Sequence, residues 1–326
     1  MTRQGKISES STSGTLQILK TLMRWMKYPP LDEKDYSDLL PEVDPRRISD
    51  SLNVLETSVS HAIQSVPKGN AVISFSGGID SSILARLSSY LQGSVTLLCV
   101  GLADSPDLVS AIESSSGIVP SLPVVLKQID KREIENAARE VSTTAEVSNL
   151  AHFEDCVAFW LICKKASELG QSVDSVITAN GPDELFCGYD RFRRILDKEG
   201  YAAVEKEITK ALSSAEQLEL QVKRTTTRHG LTLYEPLMTP TFRQVALSIP
   251  PELKLLRGND LLRKRIWRCL GRKLGLPETI VKKRKKAMQY GTGIHVVVSK
   301  MLKQGNLQLA FREREFEAYK RTGESV

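Results

Sequence analysis

The sequence contains no long hydrophobic run, which argues against a membrane-spanning protein. No stretch approaches the ~18 to 20 consecutive apolar residues that a membrane-spanning helix needs. The polar start, M-T-R-Q-G-K-I-S-E-S, lacks the apolar core of a signal peptide. We therefore expect a cytoplasmic protein that has no membrane among its partners.

Cysteine is scarce as well, and its spacing excludes the usual cysteine-based sites. The 5 cysteines stand at positions 99, 156, 163, 187 and 269, and none belongs to a C-x-x-C pair. This spacing favours neither a zinc site nor a disulfide framework. Reduced, buried thiols are the simpler interpretation.

The composition is that of a globular protein with a mild excess of positive charge. Of the 326 residues, 41% are hydrophobic and 26% are charged, which is enough for a sizeable core. Lysine and arginine number 45 against 39 aspartates and glutamates, so the net charge is +6. This excess, concentrated late in the chain, fits anionic ligands without requiring nucleic acid.

The glycine-rich stretch at residues 74–87 carries the strongest functional signal. It reads S-F-S-G-G-I-D-S-S-I-L-A-R-L, follows an apolar run, and continues with apolar residues at helical spacing. Gly77 and Gly78 permit close backbone approach, and the following helix N-terminus presents N–H groups to an anion. Asp80 would repel a phosphate unless a cation lay between them, which indicates a Mg²⁺ bridge. The stretch predicts a polyphosphate site, with an ordinary turn as the alternative.

Strand-like and helical segments alternate around this stretch, which predicts an α/β fold. Strands are expected at residues 71–73, 95–100, 123–129 and 176–178, with helical segments between them. Such alternation favours a doubly wound, mostly parallel sheet. Beyond residue 195 the periodicity is mostly helical, so we expect a helical C-terminal part. Because ligands bind at the carboxyl ends of parallel strands, Val100 and Gly101 should lie near the nucleotide.

A second polar turn follows the strand at 176–178 and reads A-N-G-P-D-E-L-F-C-G-Y-D-R-F. Gly181 and Pro182 force a turn, and Asp183 comes directly after it. Since this strand is expected to run parallel to the first, the turn can bring a second carboxylate to the same polyphosphate. Asp80 and Asp183 are therefore the expected Mg²⁺ ligands.

The chain is expected to divide into a flexible N-terminal extension, residues 1–47, and one folded domain, residues 48–326. The first residues are rich in Ser, Thr and Gly, and prolines interrupt the segment that follows. From Ile48 to Val66 apolar residues recur at intervals of three and four, which predicts an amphipathic helix leading into the glycine-rich stretch.

Four motifs, in this order, resemble those of asparagine synthetases over residues 48 to 298. S-G-G-I-D-S is similar to the pyrophosphatase loop, or PP-loop, of AMP-forming synthetases, and it lacks the Gly-Lys-Ser of a Walker loop. V-G-x-x-x-S-P-D-L and the D-E-L-F-C-G-Y turn resemble two further family motifs. The basic run K-K-R-K-K at 282–286 contains the family's R-x-K, as Arg284 and Lys286.

The resemblance implies a PP-loop synthetase that uses ATP and Mg²⁺. Such an enzyme adenylates a substrate carboxylate, with aspartate favoured, and transfers ammonia to it, giving an amide, AMP and pyrophosphate. Asp80, Arg284 and Lys286 are the implied catalytic residues. The expected ATP-binding residues are Phe75, Ser76, Gly77, Gly78, Asp80, Ser81, Ser82, Val100, Gly101, Thr178, Ala179 and Gly181.

The sequence departs from the family pattern on the substrate side. Asn180 occupies a position where many members carry Glu, and Asn cannot act as a base at neutral pH. Tyr234 and Thr239 stand where the family usually has Arg and Asp. The segment before residue 48 is far too short for a glutaminase domain, so ammonia is expected from solution or from a separate glutaminase subunit.

Two other functions remain open from the sequence. Loops like residues 76–82 also serve tRNA-modifying enzymes that adenylate a base, and the run at 282–286 is basic. A nucleic-acid partner is nevertheless not expected, since the sequence has neither a C-x-x-C pair nor an aromatic-rich single-strand platform. Asn180 also allows a non-catalytic, synthetase-like subunit, although Asp80, Asp183 and Lys286 are all present.

Overall fold

The computed structural model describes residues 36–118, 122–169, 172–284 and 288–309. Within these residues, one parallel sheet of five strands forms the centre of the molecule, in the order β3-β2-β1-β4-β5. The strands are β1 (Ala71–Ser74), β2 (Val95–Leu102), β3 (Val124–Ile129), β4 (Ser175–Ile177) and β5 (Thr232–Tyr234).

Helices cover both faces of this sheet and make up the C-terminal part. The first five are α1 (Pro45–Gln64), α2 (Ile79–Arg86), α3 (Pro106–Ile118), α4 (Lys131–Thr144) and α5 (Leu150–Ser167). The next four are α6 (Pro182–Leu185), α7 (Asp190–Glu199), α8 (Tyr201–Arg228) and α9 (Pro240–Ser248). The last four are α10 (Arg265–Lys273), α11 (Glu278–Val281), α12 (Met288–Gly291) and α13 (Ile294–Lys303). None of the described helices is long and apolar enough to cross a membrane.

Strand β1 shows why the sheet is buried on both faces. Successive side chains of a strand point to opposite sides, and all of Ala71, Val72 and Ile73 are apolar. Ile73 packs into one core with α1, α2 and α10, while Val72 packs into a second core with α4, α5 and α13. A strand buried on both sides reads as a continuous apolar run, which is why the sequence revealed it.

The strand order confirms the predicted doubly wound α/β fold. The chain builds β1, β2 and β3 outward in one direction and then returns to place β4 on the other side of β1. The carboxyl ends of β1 and β4 therefore mark the point where the strand order reverses. Ligands of open parallel sheets bind at such a point.

Strand β5 lies inside the part of the chain that was expected to be mostly helical. It pairs in parallel with β4, with Tyr234 opposite Ile177. Its three residues are exposed or half-buried, and Pro236 follows almost at once. A strand this short, with no alternating pattern, gives no usable periodicity. It nonetheless adds a fifth carboxyl end to the edge of the sheet where the ligand is expected.

Packing begins before residue 48, the predicted start of the folded domain. Tyr36, Leu39 and Leu40 are buried in the core that contains α1. The Asp44 side chain accepts a hydrogen bond of 2.9 Å from the Arg46 N–H and caps α1, which begins at Pro45. The predicted extension thus contributes residues 36–47 to the fold, while its residues 1–35 lie outside the described part of the chain.

Candidate active site

The PP-loop forms a tight turn between β1 and α2, and Gly77 is the residue that permits it. Gly77 has a φ of 67°, a conformation that side chains disfavour. A Cβ at this position would lie 2.5 Å from the Ser110 carbonyl oxygen of α3. The Ser114 hydroxyl of α3 donates to the Gly77 carbonyl at 3.2 Å. The loop therefore lies directly on α3, and a side chain at residue 77 would force the two apart.

Hydroxyl groups fix the shape of the loop. Ser81 Oγ accepts a hydrogen bond of 3.2 Å from the Ser76 N–H and lies 3.3 Å from Ser76 Oγ. It also lies 3.3 Å from the Gly78 carbonyl oxygen, to which it can donate. Because α2 begins at Ile79, the first N–H groups of the helix have no intrahelical acceptor. These groups and the serine hydroxyls are the kind of donors that bind a phosphate.

Asp80 and Asp183 come together as predicted, but a lysine ammonium lies between them. Lys264 Nζ lies 2.6 Å from Asp80 Oδ2 and 2.7 Å from Asp183 Oδ1. The Lys264 side chain is fully buried, whereas the two carboxylates are partly exposed. Two carboxylates at the ends of adjacent strands thus share one cation. Their negative charges compensate the buried Lys264 ammonium, whose burial would otherwise be costly in free energy.

Backbone geometry explains how Lys264 reaches this position. Arg263 and Lys264 both adopt left-handed conformations, with φ of 54° and 51°. Asp260 supports this turn, since its Oδ1 accepts the N–H groups of Leu262 and Arg263 at 3.0 Å. Gly188 leaves the necessary space, because a Cβ there would lie 2.0 Å from Asp183 Oδ1 and 2.3 Å from Lys264 Cε. Strained backbone of this kind is typical of functional sites, so the turn and the glycine together indicate that the position of the Lys264 ammonium matters for function.

Trp267 holds the second oxygen of Asp80. Its indole Nε1 donates to Asp80 Oδ1 at 2.9 Å, and its ring stacks on Phe186 with centroids 4.9 Å apart. The sequence assigned no role to Lys264 or Trp267. Both residues lie about 180 positions after Asp80 in the sequence, so local patterns gave no sign of the contact.

A cavity of about 420 Å³ lies beside these residues, at the carboxyl ends of β1, β4 and β5. Seven predicted site residues line it, namely Ser76, Asp80, Ser81, Thr178, Ala179, Gly181 and Asp183. Helices α5 and α8 form the facing wall, with residues such as His152, Asp155 and Ser214. Segments that are far apart in the sequence therefore converge on one space.

The other predicted ATP-binding residues do not line this cavity. Phe75, Ser82 and Val100 are buried in the protein, and Gly101 lies against the Ser105 side chain. Gly77 and Gly78 shape the loop rather than face the cavity. A larger cavity, about 690 Å³, lies between α1 and α9, but its lining is mostly apolar and contains none of the predicted residues.

The described lining of the cavity beside Asp80 is acidic. It includes six carboxylate side chains, those of Asp80, Asp107, Asp155, Asp183, Glu184 and Glu235, and one guanidinium, that of Arg191. Burial and the nearby Asp183 charge raise the pKa of Glu184 to about 7, and its Oε1 accepts the Tyr189 hydroxyl at 2.5 Å. Such a lining disfavours a polyanion unless cations accompany it.

Glu235 supplies a carboxylate next to Asn180. Asn180 Nδ2 donates to Glu235 Oε1 at 2.5 Å, and Thr178 Oγ1 donates to the same oxygen at 3.2 Å. Burial raises the pKa of Glu235 to about 7. Sequence reasoning identified Asn180 as the loss of an acid but did not find Glu235, because β5 was not recognised.

The basic run is described only in part. Lys286 lies outside the described residues, and the Arg284 side chain is exposed and does not line the cavity beside Asp80. Lys283 Nζ donates to Ser110 Oγ, on the part of α3 that contacts Gly77. The fully buried Arg268 donates to the carbonyl groups of Val281, at 2.5 Å, and Lys283, at 2.9 Å, and so fixes the start of the run.

Comparison with curated sequences gives relatives that align with most of this chain. A relative from Methanocaldococcus jannaschii, which bears the name of a glutamine-hydrolyzing asparagine synthetase, is 28% identical over 279 residues, or 76% of this chain and 50% of the relative. The glutamine-hydrolyzing asparagine synthetase of Sandersonia aurantiaca is 27% identical over 247 residues, or 71% of this chain and 44% of the relative. The chain thus spans about half the length of the curated relatives it matches.

The family model described as asparagine synthase matches residues 52–223 and 208–316, which is most of the chain. Among solved structures, the NMN synthetase from Francisella tularensis aligns with 81% of this chain and 98% of its own, at 11% identity and a TM-score of 0.35. That likeness is too distant to inform the chemistry. The match of the family model includes the PP-loop, the D-E-L-F-C-G-Y turn and the basic run.

Proposed function

The chain belongs to the asparagine synthase family, and on this premise we propose that it is an ATP-dependent carbon–nitrogen ligase that forms AMP. A substrate carboxylate oxygen attacks the α-phosphorus of ATP, and pyrophosphate leaves. Ammonia then attacks the carbonyl carbon of the acyl-adenylate, which gives an amide and AMP. Aspartate is the favoured acyl substrate.

The convergence of Asp80 and Asp183 beside the PP-loop is the observation that supports this proposal most strongly. A nucleotide-phosphate site at the reversal of strand order is expected for the fold. In this chain such a site would combine an α-helix N-terminus, the hydroxyls of Ser76 and Ser81, and two carboxylates that share one cation. In the proposed reaction, the loop would bind the departing pyrophosphate through backbone N–H groups and hydroxyls.

The residues present fit Mg²⁺. Asp80 and Asp183 both line the cavity and already share the Lys264 ammonium, so Mg²⁺ would bind the two carboxylates from the side of the cavity. Among the described residues no group of three or more His, Cys, Asp or Glu could hold a metal alone. Two carboxylates suit Mg²⁺, which takes its remaining ligands from water and nucleotide phosphates. When bound there, Mg²⁺ would neutralise triphosphate charge.

The chain's own residues would position and polarise the reactants. Lys264 holds both carboxylates in place, and Trp267 fixes the orientation of Asp80. Arg284 and Lys286 are proposed, from their R-x-K spacing, to stabilise charge that develops on the α-phosphate. The acidic lining, which includes Asp155 of α5, suits a substrate with a positively charged amino group, such as aspartate, because carboxylates attract an ammonium.

Two residues that differ from the family pattern bear on the choice of acyl substrate. Thr239, in the position of a family Asp, donates its hydroxyl to the Pro236 carbonyl at 3.0 Å. Tyr234, in the position of a family Arg, is half-buried at the end of β5. The Arg charge that many members have at this position is therefore absent from residue 234. A carboxylate other than aspartate is compatible with these replacements.

Product analysis tests the proposed function directly. Purified protein would be incubated with ATP, MgCl₂, ¹⁵N-labelled ammonium chloride and a panel of aspartate, glutamate and short monocarboxylates. We expect AMP, pyrophosphate and a ¹⁵N-amide in equal amounts with at least one carboxylate. ADP and phosphate as the products, or AMP without any amide from the whole panel, would contradict the proposal.

A further inference from the structure

Glu235 has one oxygen fully engaged and one that is buried without a hydrogen-bond partner among the described residues. Oε1 accepts from Asn180 Nδ2 and Thr178 Oγ1. Oε2 is buried and accepts no hydrogen bond. An orphaned carboxylate oxygen is costly, and native proteins keep such atoms where they have a task. The residue also lines the cavity that contains Asp80 and Asp183.

The sheet determines where this carboxylate lies. Tyr234 of β5 pairs with Ile177 of β4, and the Thr178 N–H donates to the Tyr234 carbonyl at 3.0 Å. Glu235 therefore follows β5 at the level where Thr178 follows β4. Since both strands end at the nucleotide edge of the sheet, Glu235 reaches the space next to Asn180 from the neighbouring strand.

The charges around Glu235 leave it able to change its protonation state near neutral pH. Burial raises its pKa to about 7, and the Glu219 carboxylate of α8 adds to the effect. The donors Asn180 and Thr178, together with the Lys223 ammonium of α8, oppose it. A carboxylate with a pKa near the working pH is suited to take up a proton in a reaction.

We propose that Glu235 is the general base of amide formation and that its Oε2 accepts the proton from the attacking nitrogen. The inference rests on the proposed function. As the ammonia lone pair forms the C–N bond, the bond between the acyl carbon and the AMP oxygen breaks, and AMP leaves with that electron pair. The surplus proton of the nitrogen passes to Oε2. Asn180 acts as a positioning residue that orients the carboxylate through Oε1.

The other buried acid of the cavity is less suited to this task. Glu184 has a raised pKa too, but its Oε1 accepts the Tyr189 hydroxyl and it follows the proposed metal ligand Asp183. If Glu235 had only a structural role, accepting hydrogen bonds that connect β4 and β5, it would need only Oε1. The glutamine of Glu235→Gln could accept the same hydrogen bonds but could not act as a base. This variant therefore distinguishes a catalytic base from a structural hydrogen-bond acceptor.

The experiment compares the two half-reactions in wild type and Glu235→Gln, using the panel carboxylate that gives the fastest ATP–pyrophosphate exchange. We expect exchange, which reports adenylation, to stay within about threefold of wild type, because Gln keeps the shape and Oε1. Amide formation from ammonium chloride should fall ~10²-fold or more, the usual effect of losing a general base. Failure of the proposed function would appear as no exchange in wild type, before any variant is compared.

The pH dependence of amide formation gives a second test, because a purely structural role of Glu235 would not affect it. At a constant concentration of free NH₃, the wild-type rate of amide formation should rise through pH ~7, where Glu235 loses its proton. Asn180→Ala removes a donor that lowers the pKa of Glu235, so the rise in its rate of amide formation should occur at higher pH, with a lower plateau because the carboxylate is less well oriented. The inference is overturned if Glu235→Gln forms amide within a few-fold of wild type, if it loses exchange and amide formation equally, or if Asn180→Ala leaves the profile unmoved.

Discussion

Lys264 and Asp80 form a buried ion pair with 2.6 Å between Nζ and Oδ2, and the same ammonium lies 2.7 Å from Asp183. Residues from the ends of β1 and β4 and from the turn before α10 are thereby held as one unit. The pair lies where Mg²⁺ and the triphosphate are proposed to bind. The first prediction tests its contribution to folding.

Lys264→Met should destabilise the protein strongly. It leaves two carboxylates close together without their buried counter-charge, a change that typically costs about 3 to 5 kcal/mol. Lys282→Met is the matched control, because Lys282 also bridges two carboxylates, at 2.8 Å to Asp38 and 3.4 Å to Glu278, but is exposed to solvent. Urea unfolding should show a large drop in midpoint for Lys264→Met and almost none for Lys282→Met. Equal shifts of the unfolding midpoint in the two variants would show that the buried Lys264 ion pair stabilises the protein no more than an exposed one.

Gly188→Ala should impair nucleotide use more than it impairs folding. The added Cβ would press on Asp183 and Lys264, so the Asp183 carboxylate and the Lys264 side chain must move. Gly230→Ala serves as the control, since its Cβ meets nothing within 4 Å but the residue has a φ of 71°. The control should lose about 1 kcal/mol of stability through backbone strain alone.

The readout for both glycine variants is the ATP–pyrophosphate exchange rate, measured well below each unfolding midpoint. We expect exchange to fall at least tenfold in Gly188→Ala and to stay near the wild-type rate in Gly230→Ala. Wild-type exchange in a folded Gly188→Ala protein would refute the importance of the Lys264 and Asp183 arrangement for ATP.

Lys286→Met should lower kcat ~10²-fold or more with less effect on ATP affinity, since a charge near the α-phosphate stabilises the transition state more than bound ATP. This prediction comes from the R-x-K spacing, because Lys286 lies outside the described residues. Lys282→Met is again the control. Lys283 is unsuitable as one, since its ammonium contacts Ser110 beside the PP-loop. Equal small losses of kcat in Lys282→Met and Lys286→Met would instead indicate that the basic run acts only as a general positively charged surface.

Local patterns in the sequence were sufficient for four of the five described strands and for the PP-loop. The buried strand β1 is a continuous apolar run, and Gly77 and Asp80 form a turn whose chemistry is readable from neighbours in sequence. The pairing of Asp80 with Asp183 followed from one further assumption, that β1 and β4 run parallel. These elements were predictable because each depends on short-range order or on a general rule of parallel sheets.

The remaining part of the site depends on long-range contacts. Lys264 reaches Asp80 only because Arg263 and Lys264 adopt left-handed conformations and Gly188 leaves space, and none of these conditions has a sequence signature. Glu235 was missed because β5 has three residues and no alternation. A carboxylate nevertheless lies next to Asn180, because Glu235 reaches it from the adjacent strand, and only the register of β4 and β5 reveals this contact.

Carboxylate-dependent exchange of radioactive pyrophosphate into ATP tests the central claim most directly, because it detects an acyl-adenylate before any nitrogen donor is needed. The protein would be assayed with MgCl₂, with and without each panel carboxylate, beside Asp80→Asn. The account predicts exchange that requires a carboxylate and falls at least ~10²-fold in Asp80→Asn, whose lost charge weakens both the metal site and the Lys264 pair. Exchange that is absent with every carboxylate, or equally fast in Asp80→Asn, would contradict it.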